Sequence, residues 1–263
     1  MKNHLGLFFA VILALGVPVT ARSQSQIQPQ AKVYTKKVRM GDFLNRMAKV
    51  VTNDSIPYNS AFKTEVTSRW RVSPYEFCTP EEYERLHTDN DYYFLHFTED
   101  EGVGFLTLDK GGEKKDPDTF KRPFTVIKAP VGTAGKYNGR EGFLLGALLD
   151  IIQNFSEEAM TSDNTGYAGL TRYNRGSLKG KTIYFKDGDI CRILDEEIPG
   201  AMAAISITPA SASDKALCYR MLISADTHEL FYYTRERYRE DSGNGFNKEE
   251  INSFKRRHAV IVR

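Results

Sequence analysis

TPEEYERLHTDNDYYFLHFTEDEGVGFLTLDK, residues Thr79–Lys110, decides the fold class. Thr79 supplies a capping hydroxyl, Pro80 suits the first helical position, and Glu82 completes a capping box, so a helix runs through Tyr83 and Leu86 to about His87. Thr88-Asp89-Asn90-Asp91 is turn chemistry. Tyr92–Thr98 is an aromatic-rich strand, Glu99–Gly102 turns it, and Val103–Leu108 returns as its hairpin partner. A capped helix feeding a hairpin predicts an α/β fold with α+β character: mixed sheets carrying hairpins, flanked by helices.

Working outward, Phe43, Leu44, Met47, Val50 and Val51 recur at helical spacing and predict a helix from Gly41. Phe62, Val66 and Trp70, four residues apart, predict another. Pro74–Cys78 reads as a short strand and Lys110–Asp118 as a polar loop. Phe124–Ala129 is a strand, and the glycine-rich run APVGTAGKYNGREG, Ala129–Gly142, reads as a flexible loop feeding a helix over Glu141–Phe155. That helix carries FLLGALLDIIQNF, apolar on most faces, so it should be largely buried. Thr161–Gly180 is rich in Gly and Asn and reads as an internal linker. Strands follow at Thr182–Phe185 and Ala203–Ile207, with a short helix at Ile193–Ile198 between them and Asp187-Gly188-Asp189 as the turn ending the first. Leu217–Ser224 and Glu229–Thr234 form a second hairpin, and Asn247 with Glu250 caps a last helix to about His258. Residues 59–109 and 141–234 both read helix, strand, helix, strand, strand, which suggests a duplicated unit. The expected organisation is a signal peptide (1–23), a disordered leader (24–40), a first α/β lobe (41–130) and a second (131–263).

The start of the chain predicts export. A basic Met1–His4, thirteen mostly apolar positions from Leu5 to Val17 and small residues at Ala21 and Ser23 describe a signal peptide cleaved after Ser23 or after Ala21. The apolar run is too short to span a bilayer, so no transmembrane segment is expected after cleavage. The cysteines, Cys78, Cys191 and Cys218, lie far from this boundary, so no lipid anchor is expected. They read as buried hydrophobes, with a Cys191–Cys218 bridge as the alternative. Residues 1–23 carry Lys2 and Arg22 and no acid, so the net charge of +2 falls to zero in the mature chain, which argues against nucleic acid as a partner.

Candidate chemistry is sparse. Gly135-Lys136 resembles the end of a phosphate loop, but Pro130 stands where the motif needs glycine and Tyr137 where it needs Ser or Thr. Lys136 and Arg140, beside a helix start, leave a small-anion site as the remaining suggestion. His87, His96, His228 and His258 are scattered without ligand spacing, and Asp187-Gly188-Asp189 and Asp195–Glu197 lack a full calcium loop, so no metal and no cofactor are expected. Cys78 precedes a capped helix and could pair with His87 or His96 as a nucleophile. Tyr92 and Phe94, with Phe231 and Tyr233, place aromatics on hairpin strands where one face could serve binding.

The runs SRWRVSPYEFCTPEEYERL (Ser68–Leu86), DYYFLHF (Asp91–Phe97) and GFLTLDKGG (Gly104–Gly112) resemble those of uncharacterised exported proteins of Gram-negative gut-type bacteria. The resemblance spans roughly residues 41–234. It implies an α/β fold in the periplasm or outside the cell and transfers no activity. The sequence therefore points to a non-enzymatic envelope or secreted module that binds a protein or another envelope macromolecule. The alternative is a hydrolase whose site is assembled from distant residues.

Overall fold

A computed structural model describes residues 36–112, 114–116, 119–120, 123–174, 176–239 and 245–262. The expected signal peptide and most of the expected leader lie outside the described residues. The leader's last residues are not irregular: Lys36–Met40 form helix α1, and Met40 is fully buried.

The helix expected from Gly41 is a strand. After a single 3-10 turn at Phe43–Asn45, β1 (Met47–Val51) is the second strand of its sheet, paired in parallel on both sides. An interior parallel strand is covered on both faces, which erases alternation and leaves an apolar run that mimics a buried helix. α2 (Asn59–Arg69) and β2 (Tyr75–Cys78) fall where expected. In α3 (Pro80–Leu86) the Thr79 hydroxyl accepts the Glu82 N–H at 3.2 Å. β3 (Tyr92–Asp100) and β4 (Val103–Lys110) are joined by Glu101 and Gly102, both at positive φ as a tight two-residue hairpin requires. The expected polar loop after Lys110 contains a two-stranded ribbon, β5 (Lys114–Asp116) with β6 (Thr119–Phe120). β7 (Phe124–Thr133) continues into the glycine-rich run, so only residues 134–139 of that run form a connector.

α4 (Arg140–Thr161) is the helix read from FLLGALLDIIQNF, and its apolar positions are buried nearly all round. The expected linker after it is packed structure. Ser162 caps α5 (Asp163–Ala168), and a 3-10 turn at Gly169–Tyr173 buries Leu170. Asn174 then takes both backbone groups of Tyr233, accepting its N–H at 2.6 Å and donating to its carbonyl at 2.8 Å. The polar composition that reads as a linker here satisfies a strand.

β8 (Thr182–Tyr184) is followed by α6 (Asp187–Asp195), which begins six residues earlier than expected because Asp187 and Asp189 sit favourably in its first turn. β9 (Ala201–Ile207), β10 (Leu217–Ser224) and β11 (Leu230–Arg237) come next. α7 (Lys248–Arg256) opens with the capping box of Asn247 and Glu250, and a final strand, β12 (Val260–Val262), was not legible at three residues. Glu250 also accepts from Arg220 at 2.8 Å and from the Tyr232 hydroxyl at 2.6 Å. Asn247→Ala is expected to cost about 1 kcal/mol, read as a lower urea midpoint with an unchanged slope.

The fold is α/β, with two mixed five-stranded sheets ordered β2-β1-β3-β4-β7 and β11-β10-β9-β8-β12. Helix, strand, helix, strand, strand recurs in both halves as α2-β2-α3-β3-β4 and, beyond α5, α4-β8-α6-β9-β10. The likeness is closer in pairing than in chain order. Each sheet has three parallel strands followed by two antiparallel ones, β2-β1-β3 then β4-β7, and β12-β8-β9 then β10-β11. The edge strand β2 comes between β1 and β3 in sequence, whereas its counterpart β12 comes last, behind α7. The two tight hairpins therefore occupy different places in their sheets.

One hydrophobic cluster runs from Val50 and Leu95 of the first sheet through Leu148 and Ile152 of α4 to Ile205 and Met221 of the second. Among the described residues no helix is long and apolar enough to cross a membrane.

Candidate functional site

Asp150 is the only charge in the middle of α4's apolar run, and the fold gathers partners around it from two other segments and from α4 itself. Its Oδ2 lies 2.8 Å from His228 Nδ1 and 3.4 Å from Arg69 Nη1, and its Oδ1 accepts from Arg71 at 3.0 Å and Gln153 at 3.3 Å. Arg69, at the end of α2, also reaches Glu65 and Glu197, each at 2.7 Å. Gln153 is fully buried and ties the backbones of Arg69 and Arg71 to α4.

Burial alone would raise the Asp150 carboxyl. The hydrogen bonds from His228 and Arg71 and the charges of His228 and Arg69 outweigh it, so its pKa lies below the ordinary carboxylate value. An ionised carboxylate only accepts, so His228 Nδ1 carries the proton. Arg69 Nη1, 3.4 Å from that same nitrogen, faces it donor to donor because both point at Asp150. With Nδ1 held against Asp150, Nε2 is the ring nitrogen left for another partner, and no described residue occupies it. His228 is 5% exposed and sits at φ +54° in the β10–β11 turn.

His228 borders two clefts. The larger, about 610 Å³, is lined by Asn154, Glu157, Arg172, Tyr173 and Phe231 among others. The smaller, about 320 Å³, lies against Glu65, Arg69, Phe143 and Glu197. In the larger cleft Arg172 pairs with Glu158 at 2.6 Å, while no cation pairs with Glu157 among the described residues. The Tyr173 hydroxyl is buried without a partner among the described residues, and its pKa is pushed up to about 12 by burial and then by Glu158. Phe231 lies against Gly176, with the Lys181 ammonium 5.7 Å from its ring centre.

The residues singled out from the sequence are placed differently. Phe231 alone among them lines this cleft. Tyr92 is half-buried under Lys49, Phe94 is wholly buried against Tyr83 of α3, and Tyr233 is 7% exposed. The expected open aromatic face is thus covered by a helix on the first hairpin and turned into the core on the second. Arg140 is buried and paired with Asp187 at 2.7 Å, which answers its charge; Lys136 is exposed on the connector, so the anion site expected from the two is not formed.

Cys78 packs with Val51 and Phe94, and burial first, then Glu82, pushes its thiol up to about 11. That is the opposite of the shift a nucleophile needs. His87 Nδ1 lies 2.8 Å from the Glu84 carbonyl, and His96 Nε2 lies 2.9 Å from Asp109 with Tyr83 tilted over both rings. All three cysteines are free thiols, so the Cys191–Cys218 alternative is not formed. Cys78 is expected to resist alkylation by iodoacetamide at pH 8 in the native chain and to react once urea unfolds it; fast native labelling would contradict the buried thiol. Among the described residues no three His, Cys, Asp or Glu side chains are grouped to hold a metal.

Asp150, His228 and Arg69 were not selected from the sequence. They stand 78 and 159 positions apart, and the only local signal was an aspartate inside an apolar helix. No protein-family model, no curated protein and no solved structure matches this chain.

Proposed function

We propose that this chain is an exported binding module of the cell envelope or the extracellular space, and that the cleft beside His228 takes a basic segment of a protein or other macromolecule. The cleft carries the reading: two aromatic rings, and a carboxylate without a cation and a buried hydroxyl without a partner among the described residues, share one concave surface. A hydroxyl left unpaired in a wall costs stability unless something else bonds it. Both rings already carry a cation, Lys181 over Phe231 and Arg172 at 5.5 Å over Tyr173, so their faces suit positive groups. The signal-peptide pattern of residues 1–23 supports export.

The full chain expressed in a Gram-negative host should yield a mature N-terminus at Gln24 or Arg22 in the periplasm or medium; a product that keeps Met1 in the cytosol sinks the export reading. Titration of the mature chain with an oligolysine peptide should saturate, and Phe231→Ala and Glu157→Gln should each weaken it about fivefold to tenfold. Equal affinity in all three proteins would sink the cleft reading.

The Asp150–His228 pair favours a second reading, a hydrolase. An imidazole oriented by a carboxylate at the wall of a cleft has the layout of a general base. His228→Gln would then abolish turnover in an ester and peptide panel.

A further inference from the structure

The connector between β7 and α4, residues 134–139, closes over a small pocket of about 120 Å³ that shares no lining residue with the cleft beside His228. Four aromatic residues line it, Tyr58, Phe97, Phe105 and Tyr137. Tyr58 meets Phe97 at 5.0 Å between ring centres and 71°, and Tyr137 at 5.6 Å and 73°. Rings set nearly perpendicular to a shared neighbour form adjoining walls, not a stack. Tyr58 and Tyr137 have no hydrogen-bond partner for their hydroxyls among the described residues. Burial, then Tyr137 and Glu141, pushes the Tyr58 phenol up, so it stays a neutral ring.

Glu141, in the first turn of α4, lines the same pocket and is 3% exposed. Its Oε2 accepts the Asn138 N–H at 3.3 Å, while Oε1 has no partner and no cation pairs with the carboxylate among the described residues. Gly132 of β7 makes room for it: a Cβ there would come within 2.9 Å of Oε1 and 3.0 Å of Cγ. The helix N-terminus favours a carboxylate at this position, but a buried charge without a counter-ion remains costly. Of the pocket's other polar side chains, the Thr133 hydroxyl donates to the Thr208 carbonyl at 2.7 Å, the Thr98 hydroxyl is bound to that of Thr107 at 2.7 Å, and Glu99 is a second, exposed carboxylate.

We propose that this pocket binds an alkylammonium cation, a methylated or quaternary amine, on the faces of Tyr58, Phe97 and Tyr137 and against the Glu141 carboxylate. Ring faces attract a cation through their quadrupoles, and the attraction grows when the site is desolvated. The volume is on the order of four waters, which is the size class of a methylated ammonium head. A primary ammonium has three N–H groups to satisfy. Inside the pocket Glu141 offers one free carboxylate oxygen, Glu99 stands exposed, and the apolar lining is largely ring, a set better suited to a cation that carries methyl groups instead of donors.

Choline and its neutral carbon isostere, 3,3-dimethylbutan-1-ol, are the probes, titrated at constant ionic strength with tyrosine fluorescence and the amide signals of residues 134–139 as readouts. Choline should bind saturably in the millimolar range, and the isostere at least tenfold more weakly. Tyr137→Ala and Glu141→Gln should each weaken choline about tenfold, while Tyr137→Phe keeps it. Tyr137 is half exposed on the connector, so its variants keep the fold even where Glu141→Gln lowers the melting temperature. Three results would overturn the proposal: no saturable shift with choline, equal binding of the isostere (a merely apolar cavity), or an unchanged affinity in Tyr137→Ala.

Discussion

Asp150→Ala is expected to destabilise the chain by about 3–5 kcal/mol, the cost of removing one partner from a buried charge cluster. The carboxylate is the shared acceptor of His228, Arg69, Arg71 and Gln153. Alanine leaves two guanidinium groups and an imidazole N–H facing one another across the space it vacates. Arg69 keeps Glu65 and Glu197, so it is not stranded, but its 3.4 Å approach to His228 loses its reason. For a domain of this size the melting temperature should fall by on the order of 10 °C. Asp150→Asn retains the shape and one acceptor oxygen, and should cost less.

The pH dependence has a definite sign. The Asp150 pKa is lowered in the folded chain, so its contribution is fully present above the unfolded carboxylate value of about 3.9 and is lost as pH falls through the folded value. The gap in unfolding free energy between wild type and Asp150→Ala should therefore be flat from neutrality down to about pH 5 and shrink below pH 4. A gap that persists undiminished at pH 2 would show that Asp150 acts through packing, not through its charge.

What the sequence made legible follows from how far apart the responsible residues lie. Thr79, Pro80 and Glu82 act within one turn, and the structure has the Thr79 cap, although the Glu82 carboxylate accepts from Lys49 instead of closing a capping box. Glu101-Gly102 and the run into α4 were equally local. β1 was misread because its two faces are covered by elements that follow it in the chain, so Met47–Val51 carries no mark of which period it obeys. Asn174 looked like linker because its partner, Tyr233, is 59 residues away. The same applies with more force to the site. The aromatic pairs Tyr92/Phe94 and Phe231/Tyr233 were visible, yet which face α3 or the 3-10 turn at Gly169–Tyr173 would cover was not. Cys78 at a helix start suggested a lowered thiol pKa, but burial beside Phe94 reverses the direction. Asp150 offered the one usable hint: a lone carboxylate in an apolar helix must find cations, and Arg69 ends the helix that packs on it, with Arg71 two residues beyond.

Gly111→Ala tests a different constraint, space against backbone. Gly111 follows β4 and donates its N–H to the Tyr92 carbonyl at 3.0 Å, and Gly112 donates to the His87 carbonyl at 2.9 Å. These two bonds hold the end of β4 against the turn that links α3 to β3. A Cβ on Gly111 would stand 1.8 Å from the Asp89 carbonyl oxygen and 2.6 Å from its carbon, with Phe94 Cε2 at 3.3 Å. No rotamer change relieves a clash with a peptide group, so the turn itself must move. Asp89 cannot move alone, because its side chain accepts the Asp91 N–H at 2.9 Å and its carbonyl accepts that of Tyr92. Displacing it pulls on the first residues of β3, where Tyr93 and Phe94 are fully buried. The cost should reach the upper end of overpacking penalties, about 3 kcal/mol, a fall of on the order of 10 °C in melting temperature. The amides of Gly111 and Gly112 should exchange faster in the variant, while those of β10 and β11 keep their protection at matched stability. A variant melting within about 1 °C of wild type would mean that this turn yields without cost and that the end of β4 is not held as the structure shows.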